Sequence, residues 1–259
     1  TVLGYNAVSA KIPELEAEGQ IANIVIPITE FESDLNSENS ISLNLGIDYK
    51  LFTSLKINLN IFRNSINDLI DTRVIANKTN GQNVFSYYNV NKVYTQGLEL
   101  NSNWKPNNYL KISGGYQLLF AKDKSAEKAF KNGDVYARAS SSSPSFQLKK
   151  ENYFGLFNRS RHMANLKVFY EFTKCHLHAN IRGTYRSKYG LIDSNGNTYL
   201  DTYDDFVNGY TIWDFALNKT LFKNHKIGFG IDNILGFTDS QNITNISGRI
   251  IYGKLNIQF

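Results

Sequence analysis

One cysteine, Cys175, stands in a chain of 259 residues, which excludes an internal disulfide. No apolar run is long enough to cross a bilayer as a helix, which excludes transmembrane helices. Lys and Arg are scattered without a basic tract, and the net charge is only +5, so nucleic acid is not an expected partner. No signal peptide leads the chain, which begins at Thr1; an export signal is expected to have been processed away or to lie upstream. The four histidines, His162, His176, His178 and His225, have no Asp or Ser repeatedly placed beside them. An enzyme needs such a base with a nucleophile or a positioned water at one level of the fold, so catalysis is not expected.

What is present is alternation. Residues are 42% hydrophobic and 14% aromatic, and the mean hydropathy is −0.35. A negative mean does not exclude a membrane barrel, whose strands carry one apolar and one polar face. Ile41, Leu43, Leu45, Ile47, Tyr49 and Leu51 alternate with Ser42, Asn44, Gly46, Asp48 and Lys50, which predicts a strand. The same period returns from Leu55, Tyr94, Leu110, Ala164, Leu177, Tyr210, Lys226 and Arg249. Residues 1–40 predict an extracellular loop with one strand, broken at Pro27, and a helical turn near Lys11 to Gly19.

Connections near 52–54, 105–108, 173–175 and 222–225 are short, and those between them run from a dozen to forty residues. Short turns on one side and long loops on the other mark outer-membrane barrels, whereas β-sandwiches place turns every ~8–12 residues. Trp104, Tyr109, Tyr170, Phe172, Phe222, Phe237 and Phe259 stand where interfacial aromatic girdles belong. The predicted fold is therefore all-β, an antiparallel transmembrane β-barrel over 41–259. Nine strands are legible, and bacterial single-chain barrels carry an even number. Either a tenth strand lies in 1–40 or the barrel is larger.

Four segments carry a resemblance: DLNSENSISLNLGIDYK at 34–50, NVNKVYTQGLELNSNWKP at 89–106, GIDNILGFTD at 230–239 and GRIIYGKLNIQF at 248–259. In this order they resemble the C-terminal part of TonB-dependent outer-membrane transporters. RSRHMANLKVFYEF and DSNGNTYLDTYDDF look like a branch common in Bacteroidota. The resemblance implies the last nine strands of a 22-stranded barrel in the outer membrane, in contact with its lipid, with the plug domain and the TonB-engaging segment outside this chain. It further implies uptake of a scarce, bulky small-molecule ligand (siderophore, haem, cobalamin or glycan), a surface lipoprotein partner, and a terminal Phe259 read by the barrel assembly machinery. The alternative is a complete small barrel acting as an enzyme, porin or adhesin.

Three residue groups invite a role. Asp193, Asn195, Asn197, Asp201 and Asp204, with the Tyr199 carbonyl, follow the oxygen spacing of a calcium loop; against it, Thr198 stands where glycine is expected and Asp204 where a longer Glu is usual. An Asx-rich solvated loop is the plainer reading. Arg182, Arg186 and Lys188 share the polar face of one strand and could meet an anionic ligand, a plug carboxylate or the barrel wall. Tyr136, Phe146, Tyr153, Phe154 and Phe157, with Tyr87 and Tyr88 in the 67–92 interval, are aromatics in exposed loops, expected either to contact a ligand or partner or to pack on neighbouring loops.

Overall fold

The computed structural model describes residues 1–32, 35–90, 92–138, 143–221 and 225–257. Phe222 and Phe259, proposed above for the girdle, and the turn from 222 lie outside the described residues.

Nine strands form one sheet: β1 (Asn39–Phe52), β2 (Leu55–Asn67), β3 (Val93–Trp104), β4 (Leu110–Asp123), β5 (His162–Phe172), β6 (Leu177–Arg186), β7 (Tyr210–Leu221), β8 (His225–Asp232) and β9 (Ile250–Asn256). Each is hydrogen-bonded to the strand before it in sequence, the up-and-down order of a barrel wall. Register places Ile112 opposite Val168, Val168 opposite Ile181, and Ile181 opposite Phe215. That row continues through Ile231 to Ile251, so one face is an apolar band. The other face is polar: Asn58 Nδ2 donates to Asp48 Oδ1 at 2.9 Å, Gln117 Nε2 to Glu99 Oε1 at 2.8 Å. Because side chains alternate, a register slip of one residue would exchange the two faces. The edge strands β1 and β9 are exposed along their lengths.

Local chemistry closes the short turns. Asn107 Oδ1 accepts the N–H groups of Tyr109 and Leu110 at 2.9 and 2.8 Å, an Asx turn that reverses the chain between β3 and β4. The turn Thr173–Cys175 ends on His176 at φ 48°, so His176 belongs to the turn and not to the polar row of β6. Gly97 in β3 is a close approach: a Cβ there would stand 1.9 Å from the Leu118 carbonyl oxygen and 3.2 Å from Phe62 Cζ.

The chain divides into two compact units. One comprises Thr1–Ser42, Asn64–Tyr94 and Asp123–Ser125; the other comprises Leu43–Arg63, Thr95–Lys122 and Ala126–Phe259. In the first, the structure differs from the expected loop. Helix α1 (Val8–Ala17) buries Val8 and Ile12 against Phe31, Ile75, Ala76 and Val84. A small sheet joins Val2–Leu3, Asn83–Val90, Leu69–Lys78 and Ile21–Ile24. Pro27 precedes the short helix Ile28–Phe31 instead of a continuing strand, as its missing N–H dictates.

Helix α2 (Lys124–Asn132), which enters the second unit at Ala126, buries Ala126 and Phe130 and keeps Lys124, Lys128 and Lys131 in solvent. Asp123 Oδ1 accepts the Ser125 N–H at 2.7 Å and satisfies one of the free donors at the helix start.

Candidate functional site

The described residues of two long connections, 124–161 and 187–209, fold as one lobe at the end of the sheet opposite the short turns, the extracellular end in outer-membrane barrels. Phe130 is its centre, with Tyr153 from its own connection at 5.1 Å between ring centroids and Tyr199 from the other at 5.6 Å. Val135, Ala137 and Leu148 complete the core. Backbone pairing joins the two connections: Tyr153 registers with Asp201, and Gly155 with Leu200. Asn152 Nδ2 donates to Thr202 Oγ1 at 3.1 Å, and Asn197 Nδ2 to the Tyr136 carbonyl at 3.2 Å.

The Asx-rich loop is assembled by its own carboxylates. Asp193 accepts N–H groups of Gly196, Asn197 and Thr198. Asp201 is fully buried; it accepts Nδ2 of Asn195 at 2.9 Å, Nδ2 of Asn197 at 2.7 Å and the Tyr203 N–H at 2.8 Å. Asp204 accepts the N–H groups of Ser194 and Asp201. Burial pushes the Asp204 carboxyl above the usual range, while the Asp201 and Ser194 N–H groups hold it down. The three carboxylates expected around calcium thus already accept hydrogen bonds from the loop, and the two Asn amides donate to Asp201. Holding a cation would require the two Asn amides to turn their oxygens inward and the carboxylates to exchange N–H partners for the ion. Among the described residues, no group of three or more His, Cys, Asp or Glu side chains is arranged to hold a metal.

The three cations have separate partners. Arg182 lies opposite Asp214 on β7 and donates to its Oδ2 through Nε at 3.0 Å and Nη2 at 2.7 Å. Asp214 Oδ1 also accepts the Asn233 N–H at 2.9 Å. Arg186 donates to Ser160 Oγ and the Asn158 carbonyl and stacks 3.7 Å from the Tyr189 ring centroid. Lys188 lies past the end of β6, 4.9 Å from the Phe206 ring centroid.

Of the loop aromatics, Tyr153 and Phe154 are buried and so are withdrawn from any ligand in this arrangement. Tyr153 packs on Phe130, and Phe154 lies edge-on to Phe206 at 4.8 Å. Phe146 packs on Tyr203 at 5.0 Å, and Phe157 is half-buried. Tyr88 packs on Phe31 and donates to Glu30 Oε2 at 3.0 Å. Tyr136 and Tyr87 stay exposed. Tyr136 borders a polar cleft of about 410 Å³ together with Asp134, Arg138, Ser145, Asn195 and Gly196. Asp214 and Asn233 are the residues that the sequence did not single out. Asn233 sits at φ 51° and its side chain bonds the Phe237 N–H, the Phe237 carbonyl and the Ser247 carbonyl, so the DN pair of GIDNILGFTD marked the position.

A family model described as "TonB dependent receptor-like, beta-barrel" matches residues 15–234. The chain belongs to the TonB-dependent receptors. As a receptor barrel of this family it resides in the outer membrane. The ferric enterobactin receptor PfeA of Pseudomonas aeruginosa, in complex with enterobactin, is 20% identical with a TM-score of 0.58 over 85% of this receptor chain and 31% of its own. The copper transporter OprC is 15% identical with a TM-score of 0.58, covering 86% and 31%. The ferric-catecholate import receptor Fiu of E. coli K12 is 18% identical with a TM-score of 0.52, covering 84% and 26%. The receptor chain therefore spans a third or less of these structures. No curated protein sequence matches it.

Proposed function

We propose that this chain is the C-terminal barrel portion of a transporter that imports a scarce, bulky ligand across the outer membrane. TonB would supply the energy through a plug domain carried elsewhere in the polypeptide, and the rest of the barrel would pair with β1 and β9. The ligand class favoured is a metal chelate of the siderophore kind. The observation that carries this reading is the packed lobe, on which Tyr136 and Arg138, with Asp134, line one polar cleft. An aromatic face beside a planar cation suits an anionic, aromatic-rich chelate, and ferric-catecholate and copper receptors are among the structures sharing the fold. The role is binding and passage, without covalent chemistry.

The test is binding of a ferric tricatecholate to the purified full-length receptor. Tyr136→Ala and Arg138→Ala should each weaken it by about tenfold, the effect of losing one well-placed contact. Tight binding left unchanged by both variants would remove the cleft from the reading, and no binding of any ferric chelate would remove the ligand class.

A further inference from the structure

The outward face of β1 to β4 carries a groove of about 570 Å³. Its walls are Leu43 and Leu45 of β1, Ile61 of β2, Leu98 of β3, and Leu118 and Phe120 of β4. All six fall on the side away from the polar row that holds Asp48, Asn58, Glu99 and Gln117. Gly97 forms part of the lining; lacking a side chain, it lets the β3 backbone close on the Leu118 carbonyl.

One end of this apolar groove is charged. Arg63 and Gln96 line it, and Arg63 Nη1 donates to Gln96 Oε1, which fixes the guanidinium there. A second cation stands nearby: the Arg161 guanidinium lies 5.9 Å from the Phe120 ring centroid. Arg63 is eight residues beyond Leu55, where β2 leaves its short turn. At ~3.4 Å per residue and a tilt of ~40°, that is a rise of about 21 Å, close to the top of an apolar band ~25 Å tall. A guanidinium at this depth reaches the headgroup layer of the outer leaflet, with its stem along the apolar wall.

We infer that the groove holds an acyl chain of a net-anionic outer-leaflet lipid, with Arg63 on its phosphate. Acyl chains fill an apolar surface that bulk lipid already covers on either side, and a phosphate with no ammonium of its own answers a cation that a zwitterionic headgroup, already self-compensated, does not. The site faces the bilayer, away from the lobe and its cleft, so it stands or falls independently of the transported ligand.

The experiment is native mass spectrometry of the full-length receptor, equilibrated in neutral detergent with equimolar phosphatidylglycerol and phosphatidylcholine. The unsubstituted receptor should retain phosphatidylglycerol over phosphatidylcholine by about fivefold, the weight of one cation at a membrane surface. Arg63→Gln should abolish the preference and Arg63→Lys keep most of it. Leu45→Trp, which fills the groove, should reduce retention of both lipids. Heat-modifiable migration on gels verifies that each variant folds. Equal retention by the unsubstituted receptor, a preference that survives Arg63→Gln, or full retention by Leu45→Trp would each overturn the inference.

Discussion

At Asp204 the lobe holds a carboxylate that burial makes costly and two backbone N–H groups make tolerable. A carboxyl whose folded pKa lies above its unfolded value binds its proton more tightly when folded, so ionising it costs stability. That cost is absent below about pH 4 and grows as pH rises through the raised value. Hydrogen exchange of residues 193–205, corrected for intrinsic rates, should therefore show protection falling between pH 4 and 7 in the full-length receptor. Asp204→Asn should flatten this dependence, at a cost of about 1 kcal/mol for the lost Asp201 N–H bond; a flat profile before substitution would contradict the assignment. The sequence showed that Asp193, Asp201 and Asp204 act together, because their spacing is that of convergent oxygens. The plainer reading, an Asx-rich loop, already stood beside calcium there, since a turn of this kind and a cation loop use the same residues; which N–H groups converge on which carboxylate was not legible. Alternation alone puts Arg182 on the polar side of its strand; its partner Asp214 was not legible, because cross-strand register is invisible to a single strand's period.

Strands were legible wherever the two-residue period persisted, as in β1, β6 and β9. It failed inside the long connections for a physical reason. Elements such as Tyr136–Ala137 and Phe206–Val207 are two residues long and carry no period. Leu69–Lys78 breaks its register with Asn83–Val90 between Val74 and Ala76, which scrambles the alternation there. Gly97 and Gly46 test the wall at this scale. A Cβ at Gly46 would meet nothing closer than Asn60 Oδ1 at 3.8 Å, whereas one at Gly97 would meet a main-chain oxygen at 1.9 Å. Gly97→Val should abolish the heat-resistant folded band of the receptor, and Gly46→Val should leave it. Equal tolerance of both would mean that β3 and β4 do not approach as described.

For the whole molecule, the lobe makes two connections one folding unit. Phe130→Ala should cost about 3–5 kcal/mol, as for a large aromatic removed from a core, and 187–209 should lose exchange protection along with 124–161 while β5 to β7 keep theirs. If only the connection carrying Phe130 loosened, the shared core would be wrong. The hydrogen bond from Asn197 to the Tyr136 carbonyl joins residues 61 apart in sequence, and it has an immunological consequence. A surface assembled from both connections would be read as a discontinuous epitope. An antibody raised against the folded receptor should recognise both connections at once, and peptides copied from either one alone should neither elicit nor compete for it.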